Sequence, residues 1–362
     1  MFGNKSLPKL DYLLFGASLG LAFFGVLGIY SAASSGSPGI FVRQFFWIIL
    51  GVGVCLIVAS VDYHLLVDHG LQFYLCSLGL LGGLLLFGTE INGSKSWIVL
   101  GDVQFQPSEI VKLAVILALA QYLGQISRNR LTWQHYTGLS AMILAPVVLI
   151  VLQGDLGTAL TYLPILAGMT LLVTGLRKKL LLGMLVFSLV VTPLTWLALK
   201  DYQKQRILVT LDPDLDPQGI GYQTRQSQIA IGSGGLLGKG VGQGLQSKLG
   251  FVPEVHTDFI FALLAEEIGF VGASIILMLY LLVLMRLIHI AETARDRVGI
   301  LIVTGVASLM FFHVVVNVGM TLGILPAIGI PLPLLSYGGS SIVTTFAALG
   351  LALSVFQRRF VH

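Results

Sequence analysis

The chain has 362 residues, of which 56% are hydrophobic and only 10% charged, with a formal net charge of +4 and a mean hydropathy of +0.90. A soluble domain carries about 25% charged residues, so this chain cannot cover a soluble surface and is not a soluble globular enzyme. No Lys/Arg stripe with interleaved aromatics occurs, which excludes nucleic acid as a partner.

Apolar runs long enough to cross a ~30 Å hydrocarbon core recur along the whole length. They predict an all-α integral membrane protein, a polytopic bundle of about ten transmembrane helices in contact with membrane lipids. The expected spans are 11–32, 40–61, 71–89, 107–126, 137–153, 156–175, 179–199, 257–287, 297–323 and 336–356. Together they form one membrane domain, 1–362, with a single long loop, 200–256, inside it. Lys5 and Lys9 precede the first span as in a signal peptide, but Tyr12 to Tyr30 exceeds the ~7–15 residues of an h-region, so the span is read as uncleaved. Cys55 and Cys76 lie inside apolar runs and read as small hydrophobes rather than a disulfide or metal pair.

Positive charge orients the bundle. With the N-terminus in the cytoplasm, the inside segments hold Lys5, Lys9, Arg128, Arg130, Arg177, Lys178, Lys179, Arg286, Arg295, Arg297, Arg358 and Arg359. The short outside loops hold only Arg43 and Lys95. Both termini are then expected in the cytoplasm, with the long loop outside.

Ionisable residues inside a bilayer cost ~2.5–3.5 kcal/mol each on insertion scales and are functional candidates by default. Glu109 and Lys112, in QPSEIVK, share one helix face at a spacing of three. They form either a neutralising ion pair or part of an anionic-ligand cavity with Lys112 as its cation. Asp155, in QGDLGT, reads as a helix cap. Asp258, in EVHTDFIFALLAEEIG, stands where the long loop enters a span. It is either an N-cap or a carboxylate whose partial desolvation suits it to general base work. Glu266 and Glu267 lie two turns deeper and are expected to pair with Arg or Lys from a neighbouring span.

The glycine-rich run from Gly232 to Gly244 fails the phosphate-loop test, since Lys239 is followed by Gly240 rather than Ser or Thr. Its glycines either expose amides to a phosphate-bearing ligand or permit tight turns. The stretch GMTLGILPAIGIPLPLLSYGGSS, residues 319–341, carries Pro326, Pro331 and Pro333, which break helices. A broken helix at membrane depth must be buried in protein or line a wet cavity, so this segment marks a cavity wall near the outer face. No spacing of His, Cys, Asp and Glu suggests a built-in zinc site.

The blocks FQPSEIVKLA, QGDLGTAL, YQKQRI, GYQTRQSQIAIGSGGLLGKG, HTDFIFALLAEEIGFVG and GILPAIGIPLPLLSYGGSS resemble, in order, the signature blocks of the SEDS (shape, elongation, division and sporulation) proteins. The short N-terminus and LDPDLDPQGIGYQTRQS are more similar to the rod-shape branch than to the division branch. The resemblance implies a peptidoglycan glycosyltransferase of the bacterial inner membrane. Such an enzyme polymerises lipid II on the extracytoplasmic side, with a class B penicillin-binding protein as transpeptidase partner. It places the essential aspartate at Asp258 and points to Glu109, Lys112, Arg43, Lys95, Trp97 and Ser340 as cavity-lining residues. On this reading Asp258 deprotonates the acceptor sugar hydroxyl, and Lys112 or Arg206 meets the charge of the leaving lipid pyrophosphate. A divalent cation, Mg²⁺ or Mn²⁺, is the one cofactor entertained for the same task, although no dedicated cage is visible.

Two readings compete on physics alone: a flippase that moves lipid-linked sugar, and a non-catalytic scaffold for the transpeptidase. The charge asymmetry makes a prediction that all three share. In intact cells, a cysteine probe at Gln218 should react with an impermeant label added outside, and one at Lys178 should not; the reverse pattern would invert the topology.

Overall fold

In hydrocarbon every backbone N–H and C=O must find a partner within the chain, which leaves helices and closed barrels as the only spanning structures. The computed structural model takes the helical solution. It describes residues 10–33, 39–91, 93–101, 103–126, 133–174, 201–217, 219–248, 251 and 255–359. The expected span 179–199, the charged residues Lys5, Lys9, Arg128, Arg130 and Arg177–Lys179, and the probe position Gln218 lie outside these.

The first half contains α1 (Tyr12–Ala33), α2 (Gly39–Ser60), a short α3 (Tyr63–Asp68) and α4 (Gly70–Phe87). A small antiparallel sheet follows, with β1 (Thr89–Ile91), β2 (Ser94–Leu100) and β3 (Val103–Phe105). Then come α5 (Pro107–Gln125), α6 (Trp133–Leu152), α7 (Leu156–Leu160) and α8 (Tyr162–Thr174). The second half contains α9 (Asp201–Leu211), α10 (Ile220–Ser233), a one-turn α11 (Leu245–Lys248), α12 (Ile260–Thr293), α13 (Arg297–Thr321) and α14 (Gly339–Gln357). Among the described residues, eight helices are long and apolar enough to cross a membrane, and Leu156–Leu172 is a shorter apolar helix. Nine of the ten expected spans therefore have a helix.

Small residues let helices approach closely where no hydrophobic effect drives them together. At Gly350 of α14 an added Cβ would meet the Cys55 carbonyl oxygen of α2 at 2.7 Å, so these two helices pack backbone to backbone. Cys55 is buried, Cys76 is exposed, and both are free thiols. The long helix α12 would measure about 51 Å at 1.5 Å per residue, more than a membrane core needs. It breaks at Gly269, whose φ of 66° and ψ of −168° only glycine tolerates without strain.

The sheet was not anticipated. Its central strand pairs Trp97 with Thr89 on one side and Ile98 with Phe105 on the other. Lys95 N–H donates to the Gln153 carbonyl at 2.9 Å, and Gln153 Nε2 donates to the Leu81 carbonyl at 2.9 Å, so the sheet is tied to the end of α6 and through it to α4. The loop expected over 200–256 is ordered where described: α10 lies against α12 and α13, and Ser227 Oγ donates to the Thr321 carbonyl at 2.7 Å.

At the end assigned to the cytoplasm, Asp62 caps α3 and Asp296 caps α13. His64 bridges them, with Nδ1 3.0 Å from Asp62 and Nε2 2.9 Å from Asp296. Burial alone would push the imidazole down, but the hydrogen bonds to Asp296 and Asp62 outweigh it and hold His64 above its usual value. Burial likewise opposes the two carboxyls, yet backbone and side-chain hydrogen bonds hold both below the usual carboxylate range. A raised histidine contributes stability that is full below its unfolded value of about 6.5 and is lost as pH rises through the folded value. The carboxylates lose theirs only as pH falls through their lowered values. The melting advantage of wild type over His64→Gln should therefore be larger at about pH 6 than at about pH 9; an advantage independent of pH in that window would refute the bridge.

Candidate functional site

Between Thr321 and Gly339 the chain runs without a helix, and its polar backbone groups are met by side chains from several elements. Leu332 N–H donates to Ser336 Oγ at 2.8 Å, and that hydroxyl donates to the Thr257 carbonyl at 2.6 Å. Tyr337 N–H donates to the His256 carbonyl at 2.8 Å. Tyr280 Oη donates to the Pro333 carbonyl. From α13, His313 Nδ1 donates to the Pro331 carbonyl at 3.0 Å. One turn further along, Asn317 Nδ2 donates to the carbonyls of Ile330 at 2.8 Å and Asp258 at 2.9 Å.

Asp258 stands in the turn 255–259 and is half-buried. The residue flanking α12 is Phe259, and that helix has no side-chain cap. Of the two sequence readings, the capping one is not what the structure holds. The carboxylate instead faces the broken segment, where a Cβ on Gly329 would stand 3.3 Å from Asp258 Oδ2. The neighbouring Ile328 carbonyl is approached from the other side by Gly157 of α7, where a Cβ would come to 2.5 Å. The QGDLGT turn and the Asp258 turn thus press on the same stretch of backbone.

Glu109 and Lys112 form the ion pair their spacing implies, Nζ to Oε1 2.7 Å, with Lys112 only 1% and Glu109 4% exposed. The His313 ring donates from Nδ1, so its Nε2 lone pair faces Lys112 Nζ at 3.4 Å. The pair is thereby linked through His313 to Pro331. A cavity of ≈20 Å³ lies beside it, lined by Met310, Pro333 and Thr344 among others, which is room for about one water. Ser340, in the first turn of α14, accepts the Gln106 N–H at 2.9 Å, and Gln106 Nε2 donates to Asp155 at 2.8 Å. Asp155 caps α7 through Thr158 N–H at 3.0 Å. Burial raises its carboxyl above the usual range, partly offset by the Thr158 bonds and reinforced by nearby Glu109.

The other candidates sit on separate elements. Arg43 is exposed on α2, one turn before Trp47, which lies against Gly339. Lys95 and Trp97, two apart on β2, share one face of the strand, Lys95 exposed and Trp97 half-buried. Arg206, on α9, is half-buried, and among the described residues its Nε is buried without a hydrogen-bond partner. Among the described residues no three His, Cys, Asp or Glu side chains converge to hold a metal. A larger cavity of ≈790 Å³, lined by Leu281, Met285, Ile288 and Phe311, sits between α12 and α13 near the Glu292–Arg297 turn. It is almost wholly apolar and lies away from Asp258.

Glu266 and Glu267 needed partners; the cation comes from the glycine-rich run rather than from a neighbouring span, while the Glu267 carboxylate also accepts from Ser31 Oγ of α1. Lys239 Nζ reaches Glu266 at 2.8 Å. The N–H groups of Lys239 and Gly240 donate to the Glu266 and Glu267 carbonyls, and that of Gly242 to Glu267 Oε1 at 3.0 Å. The run's amides are spent on the α12 break at Gly269, which favours the tight-turn reading over a phosphate site. His313 and Asn317 were missed, although two polar residues four apart in the apolar α13 are a readable signal.

Lys112→Ala should destabilise the protein by about 3–5 kcal/mol, because it strands a buried carboxylate. Neutralising both partners, Glu109→Gln with Lys112→Met, should restore the melting temperature. If Lys112 also binds substrate, polymerisation stays low in the double variant; its recovery would reject the ligand role.

With this geometry in hand, comparison with known proteins is specific. Residues 11–359 match the family model FTSW_RODA_SPOVE, described as cell cycle protein. The chain is 40% identical over 345 residues to the peptidoglycan glycosyltransferase MrdB of Escherichia coli K12, covering 94% of this chain and 92% of that protein. It is 35% identical over 430 residues to the peptidoglycan glycosyltransferase RodA of Treponema pallidum, covering 98% and 99%. A solved structure on the coordination of polymerization and crosslinking by a peptidoglycan synthase complex superposes with a TM-score of 0.85 at 35% identity, covering 98% of this chain and all of that one. The Thermus thermophilus rod shape determining protein RodA superposes at 0.73 with 33% identity, covering 98% and 99%. The chain is a polytopic helical membrane protein that belongs to the FtsW/RodA/SpoVE family of cell cycle proteins, the SEDS family.

Proposed function

We infer that this chain is a peptidoglycan glycosyltransferase that polymerises lipid II into glycan strands at the outer face of the cytoplasmic membrane. The observation that carries the mechanism is the placement of the Asp258 carboxylate against Gly329 of the broken segment. A carboxylate there is half-buried at the mouth of a span, at the end of the long outer loop, where a membrane-anchored substrate presents its sugars.

Asp258 takes the proton from the acceptor hydroxyl as that oxygen attacks the anomeric carbon of the donor. The new C–O bond forms as the bond to the lipid pyrophosphate breaks, and the pyrophosphate leaves with the electron pair. Its negative charge falls to Arg206, whose Nε lacks a partner among the described residues, or to Lys112 once released from Glu109. Arg43, Lys95 and Trp97, on surface elements near the helix ends, are proposed contacts for the sugars and phosphates. In the same proposal both termini are cytoplasmic. A class B penicillin-binding protein binds as crosslinking partner, acting on the arrangement of the outer segments around Pro326–Pro333. A partner shifts such an equilibrium only by its differential affinity for the two arrangements.

Asp258→Asn keeps the volume and removes the base. Purified protein with its partner should fold and melt as wild type, while lipid II polymerisation falls by about 10²–10⁴-fold. Asp258→Glu should also lose on the order of 10²-fold, because the carboxylate moves by about one methylene. Near-normal turnover in the Asn variant would end the catalytic assignment.

A further inference from the structure

Three successive carbonyls lead into the catalytic turn, and each is held by a different residue. Tyr337 N–H takes that of His256, Ser336 Oγ that of Thr257, and Asn317 Nδ2 that of Asp258 itself. The first two donors belong to the broken segment. The third comes from α13, where Asn317 is fully buried in a helix that is otherwise almost entirely apolar. The same Nδ2 also donates to Ile330, next to Gly329. Both acceptors are carbonyls, so only the amide nitrogen can serve them, and Asn317 Oδ1 is left buried without a hydrogen-bond partner among the described residues.

We propose that Asn317 is a positioning residue for the transfer reaction: one planar amide clasps the backbone on both sides of the Asp258 carboxylate and sets where that carboxylate meets the acceptor hydroxyl. The inference rests on the reading of Asp258 as the base. A polar side chain within a span is expensive, and stability does not account for this one. The gain from two neutral hydrogen bonds is offset by the cost of an orphaned buried acceptor of comparable size. What the two bonds supply together is a fixed separation between the Asp258 and Ile330 carbonyls, and hence between the carboxylate and the wall it faces. His313, one turn away on the same face, fixes the next carbonyl, Pro331, so the wall itself cannot slide along α13.

The test measures kcat and KM for lipid II polymerisation, with a melting curve, for Asn317→Leu and Asn317→Gln in the full chain with its partner. Leu matches the volume without donors, and Gln keeps the amide but moves it by a methylene. Both should lower kcat by roughly 10–10²-fold, the scale of a misplacement of about 1 Å. KM should stay near wild type in both variants, and so should the melting temperature of Asn317→Gln, the pattern of an interaction that matters in the transition state; Asn317→Leu, which strands two carbonyls, melts lower. Wild-type kcat in the Gln variant overturns the inference, and it does so even if the Leu variant fails to fold. A kcat loss that merely tracks loss of folded protein in both variants overturns it as well. Asp258→Asn run in parallel separates the two readings. If it is inactive while the Asn317 variants turn over normally, only the positioning role falls; if it turns over normally, the base assignment falls first.

Discussion

A chain that crosses membrane depth without a helix must have its carbonyls and N–H groups met by other parts of the protein. Between Thr321 and Gly339 this requirement recruits side chains from α2, α12 and α13: Gln44 to the Ser336 carbonyl, Tyr280 to Pro333, His313 to Pro331 and Asn317 to Ile330. The helices that frame the site are thereby tied to one irregular strand. Asp258 is positioned by the same set of bonds, since the segment returns two of its own contacts, from Tyr337 and Ser336, to His256 and Thr257, and Asn317 adds the third at Asp258. The prolines make this possible as well as necessary. Pro326, Pro331 and Pro333 lack N–H groups, so three donors that would have needed partners do not exist.

Buried charge follows a second rule, that each ion must be paired. Three pairs do this at different depths. Glu109–Lys112 sits within α5. Glu266–Lys239 joins the glycine-rich run to the upper part of α12. Arg286–Asp11 joins α12 to the start of α1 at 2.5 Å. The first is a local i, i+3 contact that any α5 helix would make. The other two are long-range and help to fix how elements distant in sequence meet. In particular, the run 234–244 works as a collar around the Gly269 break, feeding its amides to the carbonyls that the break frees. Where described, the long loop is thus anchored to the helix that follows Asp258 rather than hanging from it.

This arrangement bears on the chemistry. A glycosyl transfer to a lipid-linked chain needs a base held at the membrane boundary, a path for apolar tails in the bilayer, and charge to meet a departing pyrophosphate. The site separates these tasks by element. The proposed base, Asp258, stands on the turn before α12, the segment 321–339 faces it, and the Glu109–Lys112 pair is linked to that segment through His313. Lys112 is sealed in this state, so its charge acts on the wall and not on bulk solvent.

The sequence by itself determined a good deal. Its low charge and repeated apolar runs defined a polytopic helical bundle, because the bilayer allows few alternatives and each span is recorded locally in 18 or more residues. The Glu109–Lys112 pair and the Asp155 cap were equally legible, since both are contacts within one or two helical turns. The proline-rich break and Asp258 were visible as departures from that pattern. Tertiary structure alone decided the rest. The strands over 89–105 are too short for periodicity to reveal, and their sheet is tied to the bundle through the Gln153 carbonyl, which accepts the Lys95 N–H. The partner of Glu266 comes from the loop because the chain folds back on the Gly269 break, a choice set by long-range backbone bonding. That Asp258 faces Gly329, rather than capping its helix, depends on Asn317, Ser336 and Tyr337, which lie 59 to 79 residues away in the chain. Contacts at such separations leave no periodic trace in a single sequence, because only the packed bundle brings their donors and acceptors within hydrogen-bonding distance.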